Sequence, residues 1–176
     1  MIYDKKYMRN TITNMEVFKG NYLEVNLKRY NGKCYETVKS PNSAAVLAVH
    51  EENVILVEQY RPALEVYTLE LPAGIINEKE SAKETAKREL EEETGYFPRD
   101  IFYLLSFFHA PGYGTGITHL FYSNNLIKRE KLEKGIKTMI VPMEEAFRLI
   151  KKGKIKDPNA LIGLGILLGG LIKEFL

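Results

Sequence analysis

The chain opens with alternating apolar and polar positions broken by turn residues. Val17 and Phe18 lead into Lys19-Gly20-Asn21, Leu23-Glu24-Val25-Asn26-Leu27 alternates, and Asn31-Gly32 turns the chain again. Two hairpin signals in succession across residues 11–39 predict a small antiparallel meander of three strands. Pro41-Asn42-Ser43 then interrupts the pattern. Beyond it, residues 44–49 and 54–57 are short, almost wholly apolar runs joined at Glu51-Glu52-Asn53, which predicts two buried strands at the centre of a sheet.

A further strand is expected near residues 66–71. At Ser81 the period changes: Ala82, Ala86 and Leu90 recur every fourth residue, Ser81-x-x-Glu84 has the spacing of a capping box, and Gly95 supplies a stop. The helix predicted is 81–94. Strands follow at about 102–108, 118–122 and 137–141, then a helix over 143–152 and a last one over 159–175. Helices inserted among strands, without regular alternation, predict an α+β fold with a mixed-sheet sandwich. One boundary near Ser40 divides an N-terminal meander (residues 1–40) from the main domain (residues 41–176).

Composition removes several functional classes. With 176 residues the chain can bury a core without disulfides or structural metals. Its 25 basic and 23 acidic residues are spread along the sequence, for a net charge of +2, so no basic arm suited to nucleic acid is present. The lone Cys34 has no intramolecular disulfide partner, and the first residues lack the apolar core of a secretory signal, so a cytoplasmic location is expected. The charge-free run 160–172 is shorter than the ~20 residues a membrane span needs. It reads as a core or dimer-contact helix, with no membrane role.

The chemistry concentrates in Arg88-Glu89-Leu90-Glu91-Glu92-Glu93-Thr94-Gly95. Residues four apart share a helix face, so Glu89 and Glu93 point the same way with Glu92 alongside, and three carboxylates are expected to converge. Like charges so placed cost a bare helix ~0.2–0.5 kcal/mol, which calls for a positive occupant. Hard oxygen donors suit Mg²⁺ or Mn²⁺, ions that commonly work together with phosphate oxygens. The bland alternative is a solvated acidic face, but the Ala82-Ala86-Leu90 stripe puts Glu89 and Glu93 beside packed protein. Glu84 with Arg88 and Lys87 with Glu91 are expected to be ordinary i,i+4 surface pairs.

Gly74, five residues, Glu80, seven residues, then Arg88-Glu89-Leu90-x-Glu92-Glu93-x-Gly95-Tyr96 resembles the Nudix box at every fixed position, with Tyr96 where the family commonly has an aliphatic residue. The resemblance implies an α/β/α sandwich with a mixed sheet. It implies metal ligation by Glu89 and Glu93, joined by Glu92 and the backbone carbonyl of Ala73, with Arg88 orienting a glutamate and Glu92 or Glu93 taking part in catalysis. Flanking segments, Glu58-Gln59-Tyr60-Arg61, Glu70-Leu71-Pro72-Ala73-Gly74, Ala110-Pro111-Gly112-Tyr113 and Gly153-Lys154-Ile155-Lys156-Asp157, resemble the ADP-ribose pyrophosphatase branch. In that branch the N-terminal meander is a dimerisation element, so a homodimer is implied.

Substrate contacts are expected at Arg61, Gly74, Pro111, Gly112 and Tyr113. A guanidinium fork suits phosphate oxygens, with a surface ion pair as the alternative for Arg61. Pro111-Gly112 would also serve a simple tight turn, and Tyr60 or Tyr113 either stacks on a base or packs in the core. Several enzymes of the branch carry a glutamate where this chain has Gly116, and no acid lies between Asp100 and Glu130. The general base is therefore open among Glu92, Glu93 and His119. The activity implied is metal-dependent cleavage of the diphosphate of ADP-ribose or a related nucleotide sugar. The alternatives are hydrolysis of another nucleotide, such as GDP-mannose, a dinucleotide or a damaged nucleotide, and a non-hydrolysing regulatory module.

Overall fold

A computed structural model describes residues 13–130 and 135–174. The start of the expected meander, Thr11 and Ile12, lies outside them, as does Phe175 at the end of the expected last helix. Among the described residues twelve strands and three α-helices run in the order β1 (Thr13–Lys19), β2 (Glu24–Tyr30), β3 (Lys33–Lys39), β4 (Ser43–His50), β5 (Asn53–Arg61), β6 (Val66–Glu70), β7 (Ala73–Ile75), α1 (Ala82–Thr94), β8 (Tyr96–Pro98), β9 (Phe102–Phe108), β10 (Ile117–Ser123), β11 (Leu126–Lys128), β12 (Lys137–Pro142), α2 (Met143–Lys151) and α3 (Pro158–Leu168).

Two compact units emerge. The first joins the described residues up to Pro41 with the segment Phe108–Gly116. Its sheet is the antiparallel meander β1-β2-β3, turned at Asn31-Gly32 with both residues at positive φ. In this segment Val38 N–H donates to the Tyr113 carbonyl at 2.7 Å and Thr115 N–H to the Val38 carbonyl at 3.0 Å. Every residue of β1 is exposed.

The second unit holds a mixed seven-stranded sheet ordered β12-β5-β4-β10-β9, with β6 on β5 and β7 on β4. β4 and β10 run parallel, and β4 and β5 pair antiparallel at its centre, as the apolar runs predict. Strands so buried on both faces read as continuous apolar runs because each side chain, up or down, meets a packed layer. On one face Ala44, Val46, Ala48 and Ile55 pack with Ala86 and Leu90 of α1; on the other, Ala45, Leu47, Val54 and Leu56 pack with Ala146 of α2 and Ala160 and Leu164 of α3. The result is an α/β/α sandwich. The small ribbon β8-β11 stands apart from the main sheet.

α1 starts where the sequence says. Ser81 is its N-cap, the box with Glu84 is complete in both directions, and Gly95 at φ 72 closes it in the left-handed conformation, its N–H on the Glu91 carbonyl. The last helix is shorter than expected: α3 ends at Leu168, the chain turns through Gly169 and Gly170 (φ 66), and a 3-10 turn occupies Leu171–Glu174. The apolar run continues past Leu168, but glycine's tolerance of positive φ lets the backbone break there. No helix among the described residues is long and apolar enough to cross a membrane.

Candidate active site

The site forms where α1 faces β7. β7 pairs Ala73 with Ala45 and Gly74 with Ala44 on the central strand, which fixes its position against the helix. A side chain on Gly74 would place its Cβ 1.9 Å from Glu89 Oε1 and 2.1 Å from Glu89 Cδ. Glycine leaves open the space that the Glu89 carboxylate occupies, and a larger residue would have to displace that carboxylate. One residue earlier, Ala73 N–H donates to Glu93 Oε2 at 3.1 Å, and Glu93 is only 4% exposed.

Arg88 organises the neighbouring carboxylates. Its Nε and Nη2 donate to the two oxygens of Glu80 at 2.8 and 3.0 Å, and its Nη1 donates to Glu89 Oε1 at 2.6 Å and Glu92 Oε2 at 2.9 Å. The guanidinium holds the Glu80 carboxyl well below the usual range, at about 2, with Thr85 and Asn77 also donating to it. The same bonds, that to Glu80 foremost, push Arg88 further up.

Two expectations change. Among the described residues no group of three or more His, Cys, Asp or Glu is arranged for a metal; Glu89 and Glu92 meet instead on one nitrogen, Arg88 Nη1. The expected i,i+4 surface pairs are also replaced. Glu84 caps Ser81, Arg88 pairs with Glu80, Glu89 and Glu92, and Glu91 pairs with Arg129 at 2.8 Å. Lys87 lies over the Phe97 ring. Glu80 from the loop before the helix joins Glu92, one turn on from Arg88, and Arg129 from just after β11 takes Glu91, since exposed helical pairs gain only ~0.3–0.5 kcal/mol and leave room for such partners.

Arg61, at the end of β5, binds Glu70 through both Nε (2.7 Å) and Nη2. Glu70 is 5% exposed, so this is a half-buried fork that raises the Arg61 pKa, with Asp157 and Glu93 adding to the field around it. Tyr60 points to the other side of β5 and meets Tyr67 across the β5-β6 pair, ring centres 5.3 Å apart. His119 lies on β10 near Tyr103. Tyr96, the unusual residue after Gly95, is buried between the His50 ring and Lys128 Nζ, 4.0 Å from its centroid, and Lys128 also donates to the Thr94 carbonyl.

Pro111, Gly112 and Tyr113 belong to the first unit. They form a turn in which Tyr113 and Gly114 N–H both donate to the Ala110 carbonyl, and the Tyr113 side chain is exposed. In that unit a Cβ on Gly116 would lie 2.4 Å from Ser40 Oγ and 2.8 Å from His109 Nδ1, so glycine is packed into place there as well. Sequence reasoning missed Glu70, Glu80 and Asp157 as members of the network. Their signals were present: a charged residue closing an apolar strand, an acid eight residues before Arg88, and Asp-Pro-Asn at a helix start.

The residues present suit a hard divalent cation. Glu89 sits in a cradle that only glycine leaves open, Glu93 lies on the next backbone amide, and all donors are oxygen.

Comparison with known proteins gives a consistent result. The NUDIX domain family model matches residues 39–161, more than half of the chain. The chain is 34% identical to the ADP-ribose pyrophosphatase of Bacillus subtilis (strain 168), over 87% of this chain and 89% of the relative. It is 33% identical to the methanol dehydrogenase activator of Bacillus methanolicus, over 91% and 92% respectively. A crystal structure of an ADP compounds hydrolase shares the fold, with a TM-score of 0.79 at 24% identity, covering 93% of this chain and 95% of that one.

Proposed function

This chain belongs to the NUDIX domain family and is a Nudix hydrolase, and from that premise we propose that it cleaves the diphosphate of ADP-ribose, or of a closely related nucleotide sugar, to AMP and a sugar phosphate. The observation that carries this reading is the Glu89 carboxylate seated in the Gly74 cradle, with Glu93 bound to the adjacent Ala73 amide. Glu89, Glu93, Glu92 and the Ala73 carbonyl would hold Mg²⁺ or Mn²⁺. Such an ion neutralises charge on diphosphate oxygens and lowers the cost of deprotonating water.

The chain's own groups then have separable tasks. Arg88 keeps Glu89 and Glu92 from repelling one another and presents them on one side of α1. Glu92 or Glu93 accepts the proton of the attacking water. As the water oxygen bonds to one phosphorus, the bridging P–O bond breaks, leaving AMP and ribose 5-phosphate. Arg61 has two of its donors on Glu70, which leaves Nη1 to meet a phosphate oxygen. Gly74 completes the substrate contacts within this unit.

The protein acts as a cytoplasmic homodimer in this reading. Exposed Met15, Val17, Phe18 and Tyr22 on the meander supply an apolar face suited to a second copy. A second reading, regulation of another enzyme, is favoured by the likeness to the methanol dehydrogenase activator. Phosphate release after phosphatase coupling, measured on ADP-ribose, GDP-mannose, NADH, diadenosine polyphosphates and nucleoside triphosphates with Mg²⁺ and with EDTA, separates the two. Metal-dependent turnover strongest on ADP-ribose supports hydrolysis; no turnover on any of them, with binding retained, supports regulation.

A further inference from the structure

The β5-β6 hairpin places a polar trio on one face of the sheet. In its register Gln59 pairs with Thr68 and Val57 with Glu70, so Val57, Gln59, Arg61, Thr68 and Glu70 share a side. Ile55 packs with Ala86 and Leu90 of α1, and alternation along β5 carries Arg61 to that same layer. Leu69 and Leu71 point the other way, into the core shared with α3. Arg61, Thr68 and Glu70 therefore stand on the α1 side, from which Glu89 and Glu93 reach β7.

Glu70 is 5% exposed, and a carboxylate so buried is costly unless it is paired. Both its oxygens are engaged: Oε1 accepts from Arg61 Nε at 2.7 Å and from the Thr68 hydroxyl, and Oε2 accepts from Arg61 Nη2. The fork is side-on. It takes Nε and one proton of Nη2, and it leaves the edge formed by Nη1 and the other Nη2 proton. That edge carries two parallel N–H groups, the pattern that meets two oxygens of a phosphate. The Arg61 side chain is 43% exposed against 7% for Glu70, so it is the arginine that a ligand in solution can reach. Fixing a loose arginine on a ligand costs rotamer entropy, and the buried fork has already fixed this one. The anchor also adjoins the glutamates of α1: Glu70 ends β6, the Pro72 carbonyl takes Val46 N–H at 3.0 Å, and Ala73 N–H holds Glu93.

We propose that Glu70, braced by Thr68, is a positioning residue: it holds the Arg61 guanidinium on the α1 side of the sheet with its Nη1–Nη2 edge open to the substrate's diphosphate. The effect on turnover rests on the hydrolytic reading above; the effect on the guanidinium does not.

Glu70→Gln keeps the volume but offers one acceptor oxygen, so one guanidinium nitrogen would face an amide donor. Thr68→Val keeps a β-branched residue in β6 and removes only the hydroxyl, and it remains the test should Glu70→Gln not fold. Both full-length variants, Arg61→Lys, and the double variant carrying Arg61→Lys and Glu70→Gln are compared with the wild type. The readouts are thermal midpoint, metal-free hydrogen exchange at Arg61 Nε where arginine is present, and kcat/KM on ADP-ribose with Mg²⁺. Exchange at Nε should be faster by about tenfold in Glu70→Gln and about threefold in Thr68→Val. The expected loss in kcat/KM is about 10–100-fold in Glu70→Gln and about 3–10-fold in Thr68→Val. In the Arg61→Lys background Glu70→Gln should cost no more than about threefold, because Glu70 acts only through the fork. Wild-type Nε exchange or wild-type kcat/KM in the folded variants overturns the proposal, as do losses that multiply in the double variant. A raised kcat/KM in Glu70→Gln also overturns it, since Glu70 would then merely neutralise Arg61. Absence of wild-type turnover on every substrate of the panel sinks the hydrolytic reading instead. ADP-ribose affinity of the same variants then decides the proposal, and equal affinity in the wild type and Glu70→Gln overturns it.

Discussion

Gly74→Ala tests the packing of the site with the smallest possible change. Gly74 is not in the left-handed region, so alanine meets no backbone strain, and the whole effect comes from the added methyl. That carbon would lie 1.9 Å from Glu89 Oε1, and a relaxed carbon–oxygen contact needs over ~3 Å, so the carboxylate must retreat by about 1 Å or more. The displaced group is the end of a flexible side chain, which keeps the stability cost near the low end of overpacking, about 1 kcal/mol, or roughly 2–4 °C in Tm. Catalysis has no such slack: a misplacement of about 1 Å costs on the order of 100-fold, close to 2.7 kcal/mol in the barrier. The assay is kcat/KM on ADP-ribose with Mg²⁺ beside a thermal melt. Gly165→Ala, whose added methyl meets nothing within 4 Å, is the control and should gain about 1 kcal/mol of stability with activity unchanged. Activity of Gly74→Ala within about threefold of the wild type would refute the claim that Glu89 must sit in that cradle.

Other perturbations follow from the same contacts. Arg88→Lys removes the fork that spans Glu80, Glu89 and Glu92, and kcat should fall by about 10–100-fold while the fold survives, as read by kinetics and circular dichroism. Glu80 titrates at about 2 in the fold against 4.5 unperturbed, so its contribution is present above pH 4.5 and is lost as pH falls towards 2; Glu80→Gln should flatten that part of the acid-unfolding curve. Asp157 has the opposite sign. Its carboxyl is raised from 3.8 to about 6, so stability is greatest below pH 3.8 and declines as pH rises through 6, by roughly 3 kcal/mol at most; urea melts at pH 4 and pH 7 should show that slope in the wild type and lose it in Asp157→Asn.

What could be read from the sequence was local or periodic. Ser81, Glu84 and Gly95 state the ends of α1 because capping is a contact between near neighbours, and the apolar runs of β4 and β5 state their burial on both faces. The three-residue strands β7, β8 and β11 carry no period of their own and exist only through their partners, β4 for β7 and each other for β8 and β11. The end of α3 was hidden for a different reason: hydrophobicity continues through Gly169 and Gly170 while the backbone does not. In the site, spacing placed Glu89 and Glu93 on one side of α1, yet Arg88's partner Glu80 comes from the preceding loop and Arg61's partner Glu70 from the neighbouring strand. Such pairings depend on how elements meet, which a helical wheel does not contain.

The central claim is that the glutamates of α1 carry a metal-dependent hydrolysis, and the most direct measurement is ADP-ribose turnover by the wild type and by Glu93→Gln, each with Mg²⁺ and with EDTA. Glutamine keeps an acceptor for the Ala73 amide, so the variant should fold as the wild type does. The expected result is turnover in the wild type that EDTA abolishes, and at least about a thousandfold loss in Glu93→Gln. Wild-type turnover in that variant, or turnover indifferent to EDTA, would contradict it.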